Sequence, residues 1–315
     1  MSTNDGLTEH YPNIKVIKES IRALHSSLPQ DRIKSFSVSI SPSQFTDALG
    51  CHPIIGVQRL AVTIAKHLQL PAGCAIVNFR DMNEPGRVEL TSDETCLVEL
   101  HSRYKKEHQD IPGILAHEIT HVFLHRLGLG FSDTQKNEVF TDTAATYLGV
   151  GWLCLNAYRM SEESYVNIEA REIGKRTVEH RIGYLTPEEF GYVLGKRSLF
   201  FREQSDEFIT SIAAKQACHE GYGKARSECT RPPLSNSAIL DRVYYYWNRR
   251  LSKDASKRSH MAGWLRPFRG YQFDVSDASK VIFECPICSQ KLRLPIQKRI
   301  WVRCALCHEC FQCKT

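Results

Sequence analysis

The sequence predicts an α+β protein, with a mostly helical domain that contains a small sheet and a small cysteine-rich module at the C-terminal end. Three observations carry this prediction. Helical apolar spacing recurs from residue 14 onward, short strand-like runs interrupt it between residues 74 and 104, and six of the 12 cysteines fall in the last 31 residues. A chain of 315 residues is long enough to bury one full core and still carry a second, smaller unit.

The composition excludes several classes of protein. Hydrophobic residues make up 42% of the chain and charged residues 24%, which is typical of a folded globular protein. The N-terminus has no basic patch leading into an apolar stretch, so we expect no secretory signal and a cytoplasmic location. The longest apolar run, 144–157, is shorter than the roughly 20 residues of a bilayer span and contains Gly149 and Gly151. We therefore expect a buried helix there and no membrane partner.

The first elements follow from apolar spacing. Residues 14–26 and 54–69 place apolar side chains three and four positions apart, which predicts two helices packed on a core. After a break at 70–73, residues 74–79 are predicted to form a buried strand and residues 96–104 a second strand. The sheet is therefore expected just before the central helix.

The central helix has clear start and stop signals. Asp110 is a residue type that caps helices, and Pro112 is tolerated in a first turn. Gly128 or Gly130 is expected to end the helix.

A further helix is expected almost at once. Ser132 or Asp133 can cap it, and it is predicted to continue toward Trp152 or beyond. Later segments are assigned in the same way: helices at 162–180 and from Thr186 and Pro187 onward, and a long loop at 219–236, which is rich in Gly, Ser and Pro.

Two histidines on the central helix suggest metal chemistry. His117 and His121 are four residues apart, so a helix projects both from one face and both imidazoles can bind one zinc ion. Glu118 lies beside them, where it can take a proton from zinc-held water and return it to the leaving amine. On the next helix Glu138 can supply the third ligand, and Asp142 can accept the outer N–H of a ligating histidine. The pattern is HExxH, sixteen residues, then ExxxD.

Two alternatives concern the same residues. His117 and His121 could be core histidines, with Glu138 and Asp142 on a solvated helix face. The apolar neighbours disfavour this, because unpaired charge in a buried helix is costly. His125 competes for the third-ligand position, but positions 117 and 125 lie about 12 Å apart along an unbroken helix. We therefore assign His125 to packing or to a contact with a ligand.

The segments AHEITHVFLH (116–125) and NEVFTDTAATYLG (137–149) resemble zincin metallopeptidases of the gluzincin type, and among these the ImmA/IrrE-type peptidases. The HExxHxxLH helix of that family and its following Glu-containing helix are similar to these segments. The resemblance covers roughly residues 110–150. It implies a zincin-like metallopeptidase domain and a zinc-dependent endopeptidase that hydrolyses peptide bonds of a cytosolic protein substrate.

The same resemblance implies a substrate-binding strand. In zincins an edge strand before the helix holds the substrate backbone by strand addition, which here would be residues 96–104. A donor to the oxyanion of the transition state is also needed. Four side chains are candidates: Tyr147, His180, Tyr184 and His219. The sequence alone does not choose among them.

The C-terminal cysteines predict a second metal site. Four of them have the spacing of two knuckles that close one tetrahedral zinc site: Cys285, Cys288, Cys304 and Cys307. Residues 283–313 resemble the zinc-ribbon family, in which the metal replaces a core too small to fold alone. Cys310 and Cys313 continue the series and leave the ligand register open, and an iron–sulfur cluster is the alternative. We therefore predict one catalytic and one structural Zn²⁺.

Positive charge is concentrated in the same region. Residues 241–315 contain 15 Lys or Arg against 6 Asp or Glu, a net charge of +9, and the rest of the chain carries −3. Basic residues accompany an aromatic one there: Lys291, Arg293, Lys298, Arg299 and Arg303 with Trp301. Such a surface can contact phosphates and stack on a base, so we expect docking of nucleic acid or protein. The alternative is a solvated basic surface.

These observations divide the chain into a zincin-like metallopeptidase domain at 1–251, a linker at 252–279 and a zinc ribbon at 280–315. We expect a peptidase whose ribbon docks the substrate. One alternative is a nucleic-acid-binding regulator in which the zincin fold is a scaffold. Another is a peptidase that acts on DNA-bound proteins, as the SprT-like family does. Those enzymes use a third histidine, and Glu138 departs from that pattern.

Overall fold

The computed structural model describes residues 10–44, 53–71, 73–90, 95–167, 172–204, 206–253, 270–274, 277 and 279–315. Contacts divide the chain into two compact units, Met1–Tyr222 and Gly223–Thr315. Both units combine helices with small sheets, which confirms the α+β class. Within the described ranges, no helix is long and apolar enough to cross a membrane.

The helices that begin in the first unit are α1 (Ile14–Ser27), α2 (Gln30–Lys34), α3 (Pro53–His67), α4 (Ile111–Arg126), α5 (Thr134–Tyr147), α6 (Trp152–Asn156), α7 (Pro187–Phe201) and α8 (Ile212–Glu228). The predicted helices at 14–26, at 54–69 and from Thr186 onward are confirmed. Helices α4 and α5 pack against each other at the centre, and α1, α3, α6 and α7 pack around them. The central pair is therefore held on several sides by apolar contacts.

The small sheet of this unit has three strands: β1 (Ala75–Arg80), β2 (Gly86–Leu90) and β3 (Cys96–His101). Strand β3 is central, with β1 parallel to it and β2 antiparallel to it. The strands predicted at 74–79 and 96–104 are confirmed, although the second is shorter because Ser102–Lys105 forms a 3-10 turn. Strand β1 is not buried as predicted, since its side chains alternate and Ile76 is 52% exposed.

The two central helices end at glycine positions. Helix α4 ends at Arg126, just before Gly128. Helix α5 stops at Tyr147 and does not reach Trp152 as predicted. The reason is Gly149, which adopts a φ of +99°. Gly149 also passes so close to Ser39 that a Cβ added to the glycine would lie 2.9 Å from the Cα of Ser39. The apolar run 144–157 is therefore the end of α5 and a separate short helix.

Residues 162–180 were predicted to be helical, but the structure forms a hairpin there. Strands β4 (Arg159–Asn167) and β5 (Glu172–His180) pair antiparallel along their whole length. Ile173, Thr177 and Val178 are β-branched, which lowers helix propensity and favours extended backbone. The helix prediction for 162–180 was wrong because it did not take this branching into account.

Helix α8 occupies much of the predicted loop 219–236, so that prediction was wrong as well. Gly221 contributed to the loop assignment, yet it lies where α8 crosses α7. A Cβ on Gly221 would lie 2.2 Å from the backbone oxygen of Glu188. This glycine permits a close approach of two helices and does not break one.

The second unit contains α9 (Ile239–Lys253) and the strands β6 (Tyr271–Phe273), β7 (Lys280–Glu284), β8 (Lys291–Pro295), β9 (Ile300–Arg303) and β10 (Cys310–Cys313). Strands β6, β7 and β8 form one antiparallel sheet, and β9 and β10 form a hairpin. Tyr245 of α9 is fully buried, with its ring 4.9 Å from that of Tyr271 and 5.3 Å from that of Phe273.

The boundary between the units lies at residues 222–223, whereas the sequence-based division ended the first domain at residue 251. Helix α9 belongs to the second unit because Tyr245 packs on β6 and Arg242 donates hydrogen bonds to the backbone oxygens of Leu234 and Ser235. Strand β6 also lies in the segment assigned to a linker. Within that segment, residues 254–269, 275, 276 and 278 lie outside the described residues.

Candidate metal centre and cleft

Helices α4 and α5 bring three metal-binding side chains together. Nε2 of His117 lies 3.1 Å from Nε2 of His121, and Oε2 of Glu138 lies 3.0 and 3.1 Å from these two nitrogens. The histidines are one turn apart on α4, and α5 packs on α4 so that Glu138 faces them. These are the three ligand positions predicted from the sequence, and together they form a group that could hold a metal ion.

The distances within this group suit a tetrahedral ion. Bonds of about 2.0 Å at tetrahedral angles would place neighbouring ligand atoms about 3.3 Å apart. The observed separations of 3.0–3.1 Å are close to this value. The side chains of His117, His121 and Glu138 are 9%, 26% and 20% exposed, so the group is accessible from one side. An accessible three-ligand group is typical of catalytic metal sites.

The buried carboxylate of Asp142 orients His117. Its Oδ1 accepts a hydrogen bond from Nδ1 of His117 at 2.7 Å. Its Oδ2 accepts from the backbone N–H groups of Tyr184 and Leu185 at 2.5 and 3.2 Å. Because Nδ1 is engaged as a donor, Nε2 of His117 is left to bind a metal. The predicted role of Asp142 therefore has the required geometry.

The loop that follows β5 approaches Asp142 through a glycine. Gly183 adopts a φ of +94°, and an added Cβ would lie 2.5 and 2.7 Å from the two carboxylate oxygens of Asp142. The sequence reasoning missed this loop, because the residues that donate to Asp142 follow it by more than 40 positions and donate from their backbone.

Thr141 holds His121 in a similar way. Nδ1 of His121 donates to Oγ1 of Thr141 at 3.0 Å, and this hydroxyl donates to the backbone oxygen of Asn137 at 3.0 Å. Thr141 was not predicted as a site residue. Its position one turn after Glu138 was a usable signal, because residues three apart on a helix share a face.

Glu118 lies beside the ligands and is only 8% exposed. Strand β2 passes close to it at Gly86, where an added Cβ would lie 3.1 Å from Oε1 of Glu118 and 2.4 Å from Cγ2 of Ile114. Burial raises the pKa of the Glu118 carboxyl, although His117 and His121 oppose this effect. A carboxyl with a raised pKa exchanges protons more readily near neutral pH.

The pKa values of Glu138 and His117 are shifted in opposite directions. Burial alone would raise the pKa of Glu138, but hydrogen bonds from His117 and His121 lower it to about 2. Burial disfavours the charged form of His117, yet Asp142 outweighs this effect and raises the pKa of His117 well above its ordinary value. Such a concentration of carboxylates is well suited to hold a cation, which would replace the histidine proton.

The ligand group opens into a cleft of about 590 Å³. Tyr184 lines this cleft, and its ring stacks on that of His117 at 6.1 Å between centroids. The other three candidate oxyanion donors do not line it. Tyr147 is fully buried and forms a hydrogen bond with His25. His180 forms a hydrogen bond with Asp110, and His219 is exposed on α8.

His125 also lines the cleft, one turn beyond His121. It is exposed and lies outside the group of potential ligands, as the helix geometry predicted. His125 forms part of the cleft wall, whereas we expected it to pack against other side chains or to contact a ligand. The third-ligand position is therefore filled by Glu138.

The strand beside the cleft is β2, which corrects the assignment of 96–104 as the substrate-binding edge. Strand β3 is central, so its backbone groups pair with neighbours on both sides. Strand β2 is at the edge of the sheet, and Gly86, Arg87 and Val88 line the cleft. The assignment failed because sheet order is not a local property of the sequence.

Asp110 was predicted to cap α4, but its side chain makes no capping hydrogen bond. Its buried carboxylate accepts hydrogen bonds from Arg159 at 2.6 and 3.1 Å and from Nε2 of His180 at 2.9 Å. Arg159 and His180 are paired at the base of the β4–β5 hairpin. Asp110 therefore ties the hairpin base to the start of α4, directly before the loop that lines the cleft.

The second potential metal group lies in the second unit. It consists of four fully buried cysteines: Cys285, Cys288, Cys304 and Cys307. The Sγ atoms of the first and fourth, and of the second and third, are 3.6 Å apart. Zn–S bonds of about 2.3 Å at tetrahedral angles would give about 3.8 Å. The donor set and the spacing both suit a single zinc ion.

The two knuckles share one backbone geometry. Ser289 and His308 follow the second cysteine of each knuckle and adopt φ angles of 59° and 62°. The N–H of Cys285 donates to the oxygen of Gln290 at 2.8 Å, and that of Cys304 donates to the oxygen of Glu309 at 2.9 Å. The repeated turn brings the four cysteines of the two knuckles together.

Cys310 and Cys313 left the ligand register open in the sequence. In the structure Cys310 is exposed, Cys313 is buried in β10, and neither belongs to the four-cysteine group. The group members lie within 4.8 Å of one another, which suits one ion better than a multi-iron cluster. The register with the spacing of two CxxC pairs is therefore the one that the fold assembles.

Both potential metal groups thus have the residues and distances that zinc requires, one with nitrogen and oxygen donors and one with sulfur donors. Their chemical assignment depends on this geometry. Comparison with known proteins gave no match to any protein-family profile, curated protein or solved structure.

Proposed function

We propose that the first unit is a zinc-dependent endopeptidase with a zincin-like fold and that the second unit contains a structural zinc ribbon. The observation that carries the proposal is the group of His117, His121 and Glu138, with ligand atoms 3.0–3.1 Å apart, beside the buried carboxylate of Glu118. These three side chains would hold the catalytic ion. The four cysteines of the second unit would hold the structural one.

Glu118 is the proposed general base and general acid. A zinc ion bound here would lower the pKa of a coordinated water and polarise the scissile carbonyl. The ionised carboxylate of Glu118 takes the proton of the attacking water and then delivers it to the leaving amine.

Strand β2 is the proposed guide for the substrate backbone. It is an edge strand that lines the cleft, so an extended peptide can add to it through main-chain hydrogen bonds. At Gly86, strand β2 passes close to Glu118, since an added Cβ would lie 3.1 Å from its Oε1. A peptide added along β2 would therefore pass beside the general base.

Tyr184 is the proposed donor to the developing oxyanion. It is 47% exposed, lines the cleft and lies against His117. Burial, with the negative charge of Glu138, raises the pKa of its phenol, so the phenol keeps its proton at neutral pH. A protonated phenol can donate a hydrogen bond to the tetrahedral intermediate.

The decisive test compares Glu118→Gln with the unmodified chain on an unstructured protein such as casein. We expect loss of cleavage by about 10²–10⁴-fold, since the amide cannot accept the proton. The matched control is Glu162→Gln. Glu162 is exposed on β4 and forms an ion pair with Lys175, so this variant should cleave casein at the unmodified rate. Cleavage by Glu118→Gln at the unmodified rate would reject the peptidase proposal.

Zinc content per chain separates the two sites. We expect two zinc ions in the unmodified chain and one in His117→Ala, because the cleft group loses a ligand while the cysteine group is untouched. Elemental analysis of purified, folded protein gives this number directly. One zinc in both proteins would mean that the cleft binds none and that Glu118 has no metal to work with.

A further inference from the structure

The hairpin of β9 and β10 displays an aromatic ring on an open face. Trp301 in β9 is 73% exposed, and Arg303 lies two residues further along the same strand. Residues two apart point to the same side of a strand and lie about 6.6 Å apart. Gln312, directly opposite Trp301 on β10, is also exposed. The exposed ring therefore has an exposed polar residue beside it on each strand of the hairpin.

Three cations flank this tryptophan along the chain. Lys298 and Arg299 lie in the turn that leads into β9, and both are exposed, as is Arg303. Within the described part of the chain, no carboxylate forms an ion pair with any of these three. Arg293, by contrast, pairs with Asp274. We call Trp301 with Lys298, Arg299 and Arg303 the β9 face.

The whole second unit is positively charged. Residues 223–315 contain 18 Lys or Arg against 7 Asp or Glu, a net charge of +11, so residues 1–222 carry −5. A single exposed tryptophan is common on protein surfaces and means little alone. Here the ring is flanked along the chain by cations that pair with none of the described carboxylates, and the unit is basic. This combination selects a ligand with both negative charge and flat apolar rings.

We propose that the β9 face binds single-stranded nucleic acid, with a base stacked on Trp301 and the adjoining phosphates held by Arg299, Arg303 and Lys298. Stacking needs an unpaired base whose flat side is free, which a duplex does not offer. An acidic peptide would satisfy the cations but has no need of the exposed ring. This binding is independent of the cleft and of the proposed peptidase activity.

The test measures binding of the zinc-loaded full chain to a fluorescent deoxythymidine oligomer of about 20 nucleotides, long enough to span a typical site. Trp301→Ala should raise the Kd about 5- to 100-fold through loss of stacking. Trp247→Ala, at an exposed position of α9, is the matched control and should leave the Kd unchanged. Each variant is checked for its zinc content, which reports the folding of the knuckles.

Arg303→Gln tests the phosphate contact. It should raise the Kd several-fold and reduce the slope of log K against log salt by about 0.7, the value for one phosphate contact on a single strand. Arg250→Gln removes the same charge from an exposed position of α9 and should change the Kd much less. Equal effects of the two would show that only overall charge matters.

Results of three further kinds would overturn the proposal. The first is unchanged affinity in Trp301→Ala, or an equal loss in Trp247→Ala. The second is tighter binding of the matching duplex than of the single strand. The third is full competition by poly-glutamate at an equal concentration of charge, which would assign the β9 face to an acidic protein. Preference for the single strand, with loss specific to Trp301, would support it.

Discussion

The two potential metal groups differ in how the chain supports them. In the first unit, His117, His121 and Glu138 are partly exposed, and both histidines are oriented by hydrogen bonds that they donate to Asp142 and Thr141. In the second unit, four cysteines are fully buried and two repeated backbone turns place them. The first group is accessible from one side and its histidines are held by neighbouring side chains. The second group is closed.

The largest expected difference concerns folding. Zinc removal by a strong chelator should unfold the knuckles, because zinc binding contributes about 10–16 kcal/mol to comparable small zinc domains. The packed helices α4 and α5 should remain folded, since many apolar contacts hold them. Hydrogen exchange on the full chain should show loss of protection at 280–313 and retention at 111–147. Equal protection in both units after chelation would remove the contrast.

The next effect is on catalysis alone. Tyr184→Phe should lower kcat by about 10²–10³-fold, the effect of removing one oxyanion donor, with little change in KM. Zinc content should stay at the unmodified level, because the Tyr184 contact with Asp142 uses the backbone N–H. Tyr244→Phe on α9 is the control. An unchanged kcat in Tyr184→Phe would leave the oxyanion without an assigned donor.

A smaller effect is expected at the carboxylate that orients His117. Asp142→Asn should weaken zinc binding in the cleft by about 10–100-fold. An asparagine cannot accept from His117 with one atom and from Tyr184 and Leu185 with the other, since one of the two is now an amide donor. Competition with a chelating dye measures this affinity. Loss of the cysteine-bound zinc in the same variant would indicate general misfolding.

The smallest effect is expected at Thr141. Thr141→Val keeps the shape of the side chain but removes the acceptor for Nδ1 of His121. The loss of one such hydrogen bond costs about 0.5–1.5 kcal/mol, or roughly a 2- to 12-fold weaker zinc affinity. An effect as large as that of Asp142→Asn would show that the two histidines depend equally on their hydrogen-bond partners.

The positions of both potential metal groups could be predicted because their spacing is local. His117 and His121 are set by the helical repeat, and the four knuckle cysteines follow from two CxxC pairs. The helix carrying Glu138 was also predicted, with Asp133 as one of its two possible caps. Each of these signals lies within a few residues of the feature that it predicts.

The parts that were missed depend on contacts between distant segments. The order of the sheet, which makes β2 and not β3 the edge, arises from a parallel pairing with β1. The choice of Tyr184 among four candidate donors depends on a loop that folds back on Asp142. Gly221 permits helix packing where it had suggested a loop. The sequence around each of these residues contains no local sign of such contacts between distant segments.

The loop after β5 has a consequence for how this protein can vary. Its hydrogen bonds to Asp142 come from the main chain of Tyr184 and Leu185, which every residue type except proline can supply. Gly183 is the exception, because any side chain there would collide with the carboxylate. Related proteins can therefore carry other residues at positions 184 and 185 and still orient His117 through Asp142. One inserted or deleted residue would displace both donors at once, so the loop is constrained in length far more than in composition.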